Sequence, residues 1–273
     1  MRLGISSYTF PWSFGVAQYP QPKSPLDAIG LLKRAESLEV EVVQICDNYP
    51  LHKMTAETLD EISAISKEIG VMIEVGTRGV DLENLLTYLS IAEKLNARLL
   101  RTTFETPDKD SDLKKIIARI KQILPSFKEK GVSIALENYE QFKSEDLAFV
   151  IKELNSPFVG ACLDTTNSFG ALERLEDVVN RLAAFTINLH LKDFDITRFK
   201  HRMGFKIIGR PLGEGKLDID WLFRALGDKI KDLSIIVEQW VPFFGSIEKT
   251  ISVEEKWAAK SIKYLKEKIG KYL

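Results

Sequence analysis

Apolar residues recur along the chain with two spacings, and the two alternate. Short runs rich in β-branched and other apolar residues occur eight times: RLGISS near residue 2, VEVVQIC from 40, VMIEVG from 71, RLLRTT from 98, VSIALE from 132, FVGACLD from 158, TINLHL from 186 and LSIIVE from 233. Between them lie longer amphipathic stretches such as SPLDAIGLLKRAESL, AETLDEISAISKEIG and DLENLLTYLSIAEKLN. A last one, SVEEKWAAKSIKYLKEKI, closes the chain. The short runs predict strands and the longer stretches predict helices. Ser or Asp stands where several helices would begin and glycine follows two of them, as helix caps require. Strand–helix units repeated eight times predict a single (β/α)8 TIM-barrel domain over residues 1–273. A doubly wound open sheet is the competing arrangement. The segment SSYTFPWSFG after the first strand holds no GxGxxG phosphate turn, which counts against it.

The seventh run asks where its polar residues go. Ile187, Leu189 and Leu191 alternate with Thr186, Asn188, His190 and Lys192, so the two sets are expected on opposite faces. In a barrel the polar set would face the interior. The C-terminal ends of barrel strands carry the chemistry. There the fifth strand offers Glu137, the sixth Asp164, the seventh His190 and the eighth Glu238. Parity agrees: Ser133, Ala135 and Glu137 share a face, as do Gly160, Cys162 and Asp164, and Ile236 and Glu238. Any one of these acids alone reads as a helix cap or a surface carboxylate. Four ligand-type groups at equivalent positions of consecutive strands are a stronger signal. Three converging carboxylates repel one another unless a cation sits among them. The set therefore predicts one divalent metal ion, Mn²⁺ first, with Mg²⁺, Co²⁺ or Zn²⁺ as alternatives.

Composition narrows the partners. With 45% hydrophobic residues, 28% charged residues and a net charge of −1, the chain can bury a sizeable core and carries no overall basic footprint for nucleic acid. No apolar run approaches the roughly 20 residues of a membrane span, and the start MRLGISSYTF lacks a signal-peptide pattern. A cytoplasmic location is expected. The two cysteines, Cys46 and Cys162, form no CxxC pair and read as free core thiols.

Softer signals surround the four strand ends. The segment DFDITRFKHRMGFKIIGRPLGEG after the seventh strand is long for a βα loop, and such loops are often functional. Arg198, Lys200, His201, Arg202, Lys206 and Arg210 occur there with no acid between Asp195 and Glu214. They form either a solvated basic face or an anion clamp for a substrate phosphate or carboxylate. Lys192, two residues past His190, is the best single candidate for the anion contact. GEGKLD is expected to close the loop onto the next helix rather than cradle phosphate. Glu74 and Arg101 would face inward from the third and fourth strands and are candidate substrate contacts. Tyr8, Phe10, Trp12 and Phe14 could wall a pocket or simply pack at the rim, and Trp240 could stack on a sugar face. His52 reads as a loop residue.

On the segments ALENYE, GACLDTTNS, NLHLKD, PLGEGKLDIDWLFRAL and IIVEQW, the chain resembles the xylose-isomerase-like barrel family of sugar isomerases and epimerases, which includes endonuclease IV. The resemblance covers nearly the whole chain. It implies metal ligation by Glu137, Asp164, His190 and Glu238. It further implies that Glu137 and Glu238 act as acid and base on opposite faces of a small sugar or sugar-acid substrate. The chemistry would be isomerisation or epimerisation of a ketose through a metal-stabilised enediolate. Many epimerases of the family carry a histidine three residues after the strand-six aspartate. Here Asn167 stands there, able to hydrogen-bond a hydroxyl but not to titrate. The opening MRLGISSYTFPWSFG with VVQICDNYPL is similar to a subgroup of the family, the 3-oxo-isoapionate decarboxylases. That similarity implies an alternative, metal-dependent decarboxylation of a 3-oxo sugar acid. A multi-metal nuclease would need more histidines than the three present. A non-catalytic carbohydrate-binding barrel is the other class to test. Barrels of this kind often form homo-oligomers, and no nucleic-acid or membrane partner is expected.

Overall fold

The computed structural model describes residues 1–104 and 112–270. Its strands are β1 (Arg2–Ser6), β2 (Val42–Ile45), β3 (Met72–Gly76), β4 (Leu99–Thr102), β5 (Ser133–Glu137), β6 (Val159–Asp164), β7 (Thr186–Leu191), β8 (Asp193–Arg198), β9 (Phe205–Arg210) and β10 (Ser234–Val237). All except β8 and β9 pair in parallel into one closed barrel of order β1-β10-β7-β6-β5-β4-β3-β2. The barrel strands coincide with the eight runs read from the pattern.

The helices are α1 (Pro11–Phe14), α2 (Ala28–Ser37), α3 (Ala56–Ile69), α4 (Leu82–Lys94), α5 (Leu113–Lys130), α6 (Ser144–Leu154), α7 (Leu175–Leu182), α8 (Ile219–Leu226) and α9 (Ile247–Ile269). Side-chain oxygens of Asp27, Thr55, Asp81, Asp112, Asp218 and Ser246 accept hydrogen bonds from backbone amides in the first turns. Each such cap is worth about 1 kcal/mol. Gly70 and Gly131 end α3 and α5 in the left-handed conformation. No helix among the described residues is long and apolar enough to cross a membrane.

The main core is the annulus between barrel and helices, where Leu31, Leu32, Ile45, Ile62, Leu85, Leu100 and Phe127 are fully buried. Burying each such side chain is worth about 1.5–3 kcal/mol. Inside the barrel the space is tighter. A Cβ on Gly4 would lie 2.7 Å from both the Ile236 side chain and the Val42 carbonyl, so β1 closes against its neighbours only with glycine there.

Two features depart from the pattern. The segment after β7 is a β-hairpin rather than a loop: β8 and β9 pair antiparallel from Asp193↔Arg210 to Arg198↔Phe205. DFDITR and FKIIGR are short alternating runs, and Gly204 supplies a positive φ at the turn. The second departure is in β7. The β6–β7 register slips between Ala161/Cys162, so Thr186 pairs with Ala161 but Asn188 with Cys162. The bulge turns Ile187 inward, against Leu99, Ala135 and Cys162, instead of onto the helix-facing side.

Candidate metal and substrate site

The barrel interior is layered. Leu99, Ala135, Cys162 and Ile187 fill its N-terminal part. Above them lies a buried polar layer of Gln44, Glu74 and Asn188. At the C-terminal rim stand Glu137, Asp164, His190 and Glu238, all buried. One ligand-type atom from each lies within 4.8 Å of the others. Oxygen ligands sit about 2.1 Å from an ion such as Mg²⁺, so donors facing each other across it are about 4.2 Å apart. The cluster is thus close to closing on a single ion. Glu137 Oε2 is buried without a hydrogen-bond partner among the described residues and stands in ion-pair contact with the Arg101 guanidinium. Three carboxylates and one imidazole suit a fairly hard divalent ion.

Local structure aims each group. Asp164 Oδ1 accepts from the Thr166 and Asn167 amides at 2.8 Å each, and Asn138 Oδ1 accepts from the Asp164 amide at 2.7 Å. The Ser6 hydroxyl donates to Glu238 Oε1 at 2.8 Å. His190 Nδ1 faces Glu137 Oε1 at 3.2 Å and Glu238 Oε1 at 3.5 Å. Lys192 Nζ lies 2.7 Å from Asp164 Oδ2 and 2.9 Å from Glu238 Oε2, so an ammonium already balances two of the three carboxylates. Asn167 Nδ2 donates to Glu137 Oε1 at 3.0 Å.

The electrostatics follow from this crowding. Burial pushes the Glu238 carboxyl up, but His190, Lys192 and Arg101 outweigh it and hold the group well below the usual carboxylate range. Glu137 is likewise held below the usual range, since Arg101 and His190 overcome its burial. Burial alone would lower His190 and Lys192, but the surrounding carboxylates raise both. Every charge here is compensated by a neighbour, and removing one partner of such a buried pair costs about 3–5 kcal/mol.

A cavity of 860 Å³ opens above the cluster. Of the residues singled out in the sequence, Glu238, Lys192, Asn167, Arg101, Trp240, Tyr8 and Trp12 line it. Trp240 is 40% exposed, with its ring centroid 5.7 Å from Lys192 Nζ. Glu74 is not on its wall. It lies in the polar layer below and lines a cavity at the barrel's opposite mouth. Arg202 is exposed at the tip of the β8–β9 hairpin, and Lys200, His201 and Lys206 are exposed beside it. The hairpin meets the cavity through Ile207, Ile208 and Gly209, and among the described residues the cations on the cavity wall are Lys192, Arg78 and Arg101. Phe10 is buried in the core, Phe14 packs on Tyr49, and His52 Nδ1 bonds the Tyr88 hydroxyl at 3.1 Å. The GEG turn wraps a side chain of its own chain: the Asp193 carboxylate accepts from the Gly213, Gly215 and Leu217 amides. Both cysteines are buried free thiols.

Several contributors escaped the sequence reading. Asp47 bridges Arg101 and Arg78, at 3.0 and 2.6 Å, and accepts from the Tyr8 hydroxyl at 2.9 Å. Glu254 on α9 is fully buried and accepts from the Trp12 and Ser13 amides at 2.8 and 3.0 Å, fixing α1 against the cavity. Gln44 was legible in principle. The parity argument used for β7 also marks it as an inward amide in the otherwise apolar run VVQI.

The chain closes as a parallel barrel and gathers at its C-terminal rim four residues that could hold a metal ion. The family model described as xylose isomerase-like TIM barrel matches residues 32–268, and the chain belongs to that family. It is 32% identical to the 3-oxo-isoapionate decarboxylase of Pectobacterium atrosepticum over 265 residues, covering 97% of this chain and 95% of the relative. Among solved structures, D-psicose 3-epimerase from Clostridium cellulolyticum H10, determined with D-tagatose, superposes with a TM-score of 0.70. The match has 17% identity and covers 97% of this chain and 98% of the epimerase. A xylose isomerase-like barrel from Mycobacterium smegmatis in complex with magnesium gives 0.66 at 16% identity, covering 96% of both chains. At such identities the two structures speak for the fold.

Proposed function

We propose that the protein is a divalent-metal-dependent decarboxylase of a 3-oxo sugar acid, close in reaction to its decarboxylase relative. Glu137, Asp164, His190 and Glu238 would hold the ion, which supplies polarisation of the substrate's ketone oxygen. The observation that carries the reading is the buried Lys192 ammonium on the cavity wall, within 3 Å of two of these carboxylates.

Loss of CO₂ from a 3-oxo acid breaks the bond between the carboxyl carbon and the carbon next to the ketone. The electron pair moves onto the ketone as an enolate, and one proton must then reach carbon. No base is needed to start. With an ion taking over Asp164 and Glu238, the Lys192 ammonium would be released to pair with the substrate carboxylate; once CO₂ has left it donates its own proton to the carbanion carbon and is reprotonated from solvent. Trp240, Trp12 and Phe169 give the cavity an apolar wall. Epimerisation, in contrast, begins with a carboxylate removing a proton from carbon. Here Glu137 is engaged by Arg101, Asn167 and His190, and Glu238 by Lys192 and Ser6. The second reading, an isomerase or epimerase of a small ketose using Glu137 and Glu238 as the proton pair, rests on the presence of both glutamates at the rim.

The test is NMR of 3-oxo sugar acids and simple ketoses incubated with the protein and Mn²⁺ in D₂O. The expected result is loss of the carboxyl carbon with one deuterium in the shortened ketone, abolished in Lys192→Met. Deuterium entering a ketose with its carbon skeleton intact would establish the epimerase instead.

A further inference from the structure

Beneath the rim, Glu74 makes a chain of contacts that ends on His190. Its Oε2 accepts from Gln44 Nε2 at 3.0 Å and from Asn188 Nδ2 at 3.1 Å. Gln44 Nε2 also donates to Asn188 Oδ1 at 3.1 Å. Glu74, Gln44 and Asn188 are buried and come from β3, β2 and β7. An acceptor on Glu74 decides which way the Gln44 amide lies. The flipped amide would set its oxygen against the carboxylate oxygen, a repulsive pair in a buried layer. In the favoured orientation Gln44 Oε1 faces His190 Nε2 at 2.8 Å. The Cys46 thiol, 3.3 Å from the same oxygen, and the Cys162 thiol, 3.2 Å from Asn188 Oδ1, fill the remaining acceptor positions.

A ring nitrogen beside a carbonyl-type oxygen carries a hydrogen. Gln44 Oε1 can only accept, so His190 keeps a hydrogen on Nε2, whereas Nδ1 faces the ligand carboxylates Glu137 and Glu238 and is the nitrogen that an ion held among them would take, displacing any proton there. We infer that Glu74 is a positioning residue: through Gln44 it holds His190 as the Nε2–H tautomer and so prepares Nδ1 for the ion. The inference rests on the metal-site reading above. It replaces the substrate contact expected of Glu74 with a role on the far side of the ligand cluster. It also accounts for a buried carboxylate and two buried amides in a barrel interior that lies out of reach of the substrate cavity.

The test combines metal affinity with a direct reading of the ring. Mn²⁺ dissociation constants, from the EPR signal of free Mn²⁺, are compared for wild type, Glu74→Leu and Glu74→Gln. Circular dichroism checks that each variant is folded. Long-range ¹H–¹⁵N spectra of Mg²⁺-loaded, ¹⁵N-histidine-labelled protein report which nitrogen of His190 is protonated. The expected result is an Nε2–H ring in wild type. Glu74→Leu should lose about 10- to 100-fold in Mn²⁺ affinity, the usual effect of removing a group that orients a metal ligand. Glu74→Gln keeps an acceptor oxygen and should restore near-wild-type affinity and the same ring signature. Should Glu74→Leu fail to fold, Gln44→Met removes the acceptor from His190 directly and carries the same expectation. A wild-type proton on Nδ1, or undiminished Mn²⁺ affinity in folded Glu74→Leu or Gln44→Met, overturns the relay. A wild-type chain that binds no Mn²⁺ overturns the metal centre and the relay with it.

Discussion

Replacing Asp193 by alanine isolates what the PLGEG turn is for. The side chain is buried, and its two oxygens accept from four amides: Phe194 at 2.8 Å, Gly213 and Gly215 at 2.9 Å each, and Leu217 at 3.0 Å. Three of these lie 20 to 24 residues away in the chain, so one carboxylate ties the far side of the hairpin connection to the end of β7. Hydrogen bonds to a charged group are worth about 1.5–3 kcal/mol each, and an orphaned buried amide costs about 1–3 kcal/mol. Gly213 and Gly215 are exposed, so water can replace the carboxylate there, whereas Leu217 is buried and keeps the full penalty. The expected loss for Asp193→Ala is therefore about 3–5 kcal/mol. Asp193→Asn, which retains one acceptor oxygen, should lose less than half of that. Urea unfolding at 25 °C measures both, with the midpoint shift converted at constant slope. Inorganic phosphate should leave the wild-type midpoint unchanged, because the turn's amides already hold an anion. A loss below about 1 kcal/mol in Asp193→Ala, or a midpoint raised by phosphate, would refute the assignment.

Other consequences are equally direct. Burial pushes the Glu254 carboxyl up to about 7 from an ordinary 4.5, so the folded state favours its protonated form. Its contribution is fully present below pH 4.5 and is lost as pH rises through 7, a span of about 3 kcal/mol. Unfolding free energies from pH 4 to 8 should show that decline in wild type and a flatter profile in Glu254→Gln. In Gly4→Ala the new methyl meets the Val42 carbonyl and Ile236 at 2.7 Å, so the expected cost is at least about 1–3 kcal/mol, read as a lowered Tm. Stripping metal with a chelator should lower Tm, and restoring Mn²⁺ at 100 times its Kd should return about 2.7 kcal/mol. An unchanged Tm in both steps would argue against an ion at Glu137, Asp164, His190 and Glu238.

The chain's own pattern determined the barrel and its chemical rim. Period-two strands and amphipathic helices are local properties, and their strict alternation leaves few ways to bury every apolar face. The same parity located Glu137, Asp164, His190 and Glu238, because a strand's last inward residue is fixed by counting along that strand. Where the answer depended on two strands at once, counting failed. The bulge that turns Ile187 inward belongs to the β6–β7 register, and the hairpin that carries Arg202 away from the cavity formed from a segment whose alternation was too short to read. Charge placement was likewise decided in three dimensions. Only the closed barrel brings Arg101 against Glu137, seats Lys192 between Asp164 and Glu238, and sets Glu74 behind Gln44 rather than on the cavity wall. A side chain's partners in a barrel come from strands dozens of residues away, and the free energy of a buried charge depends on those partners far more than on its neighbours in sequence.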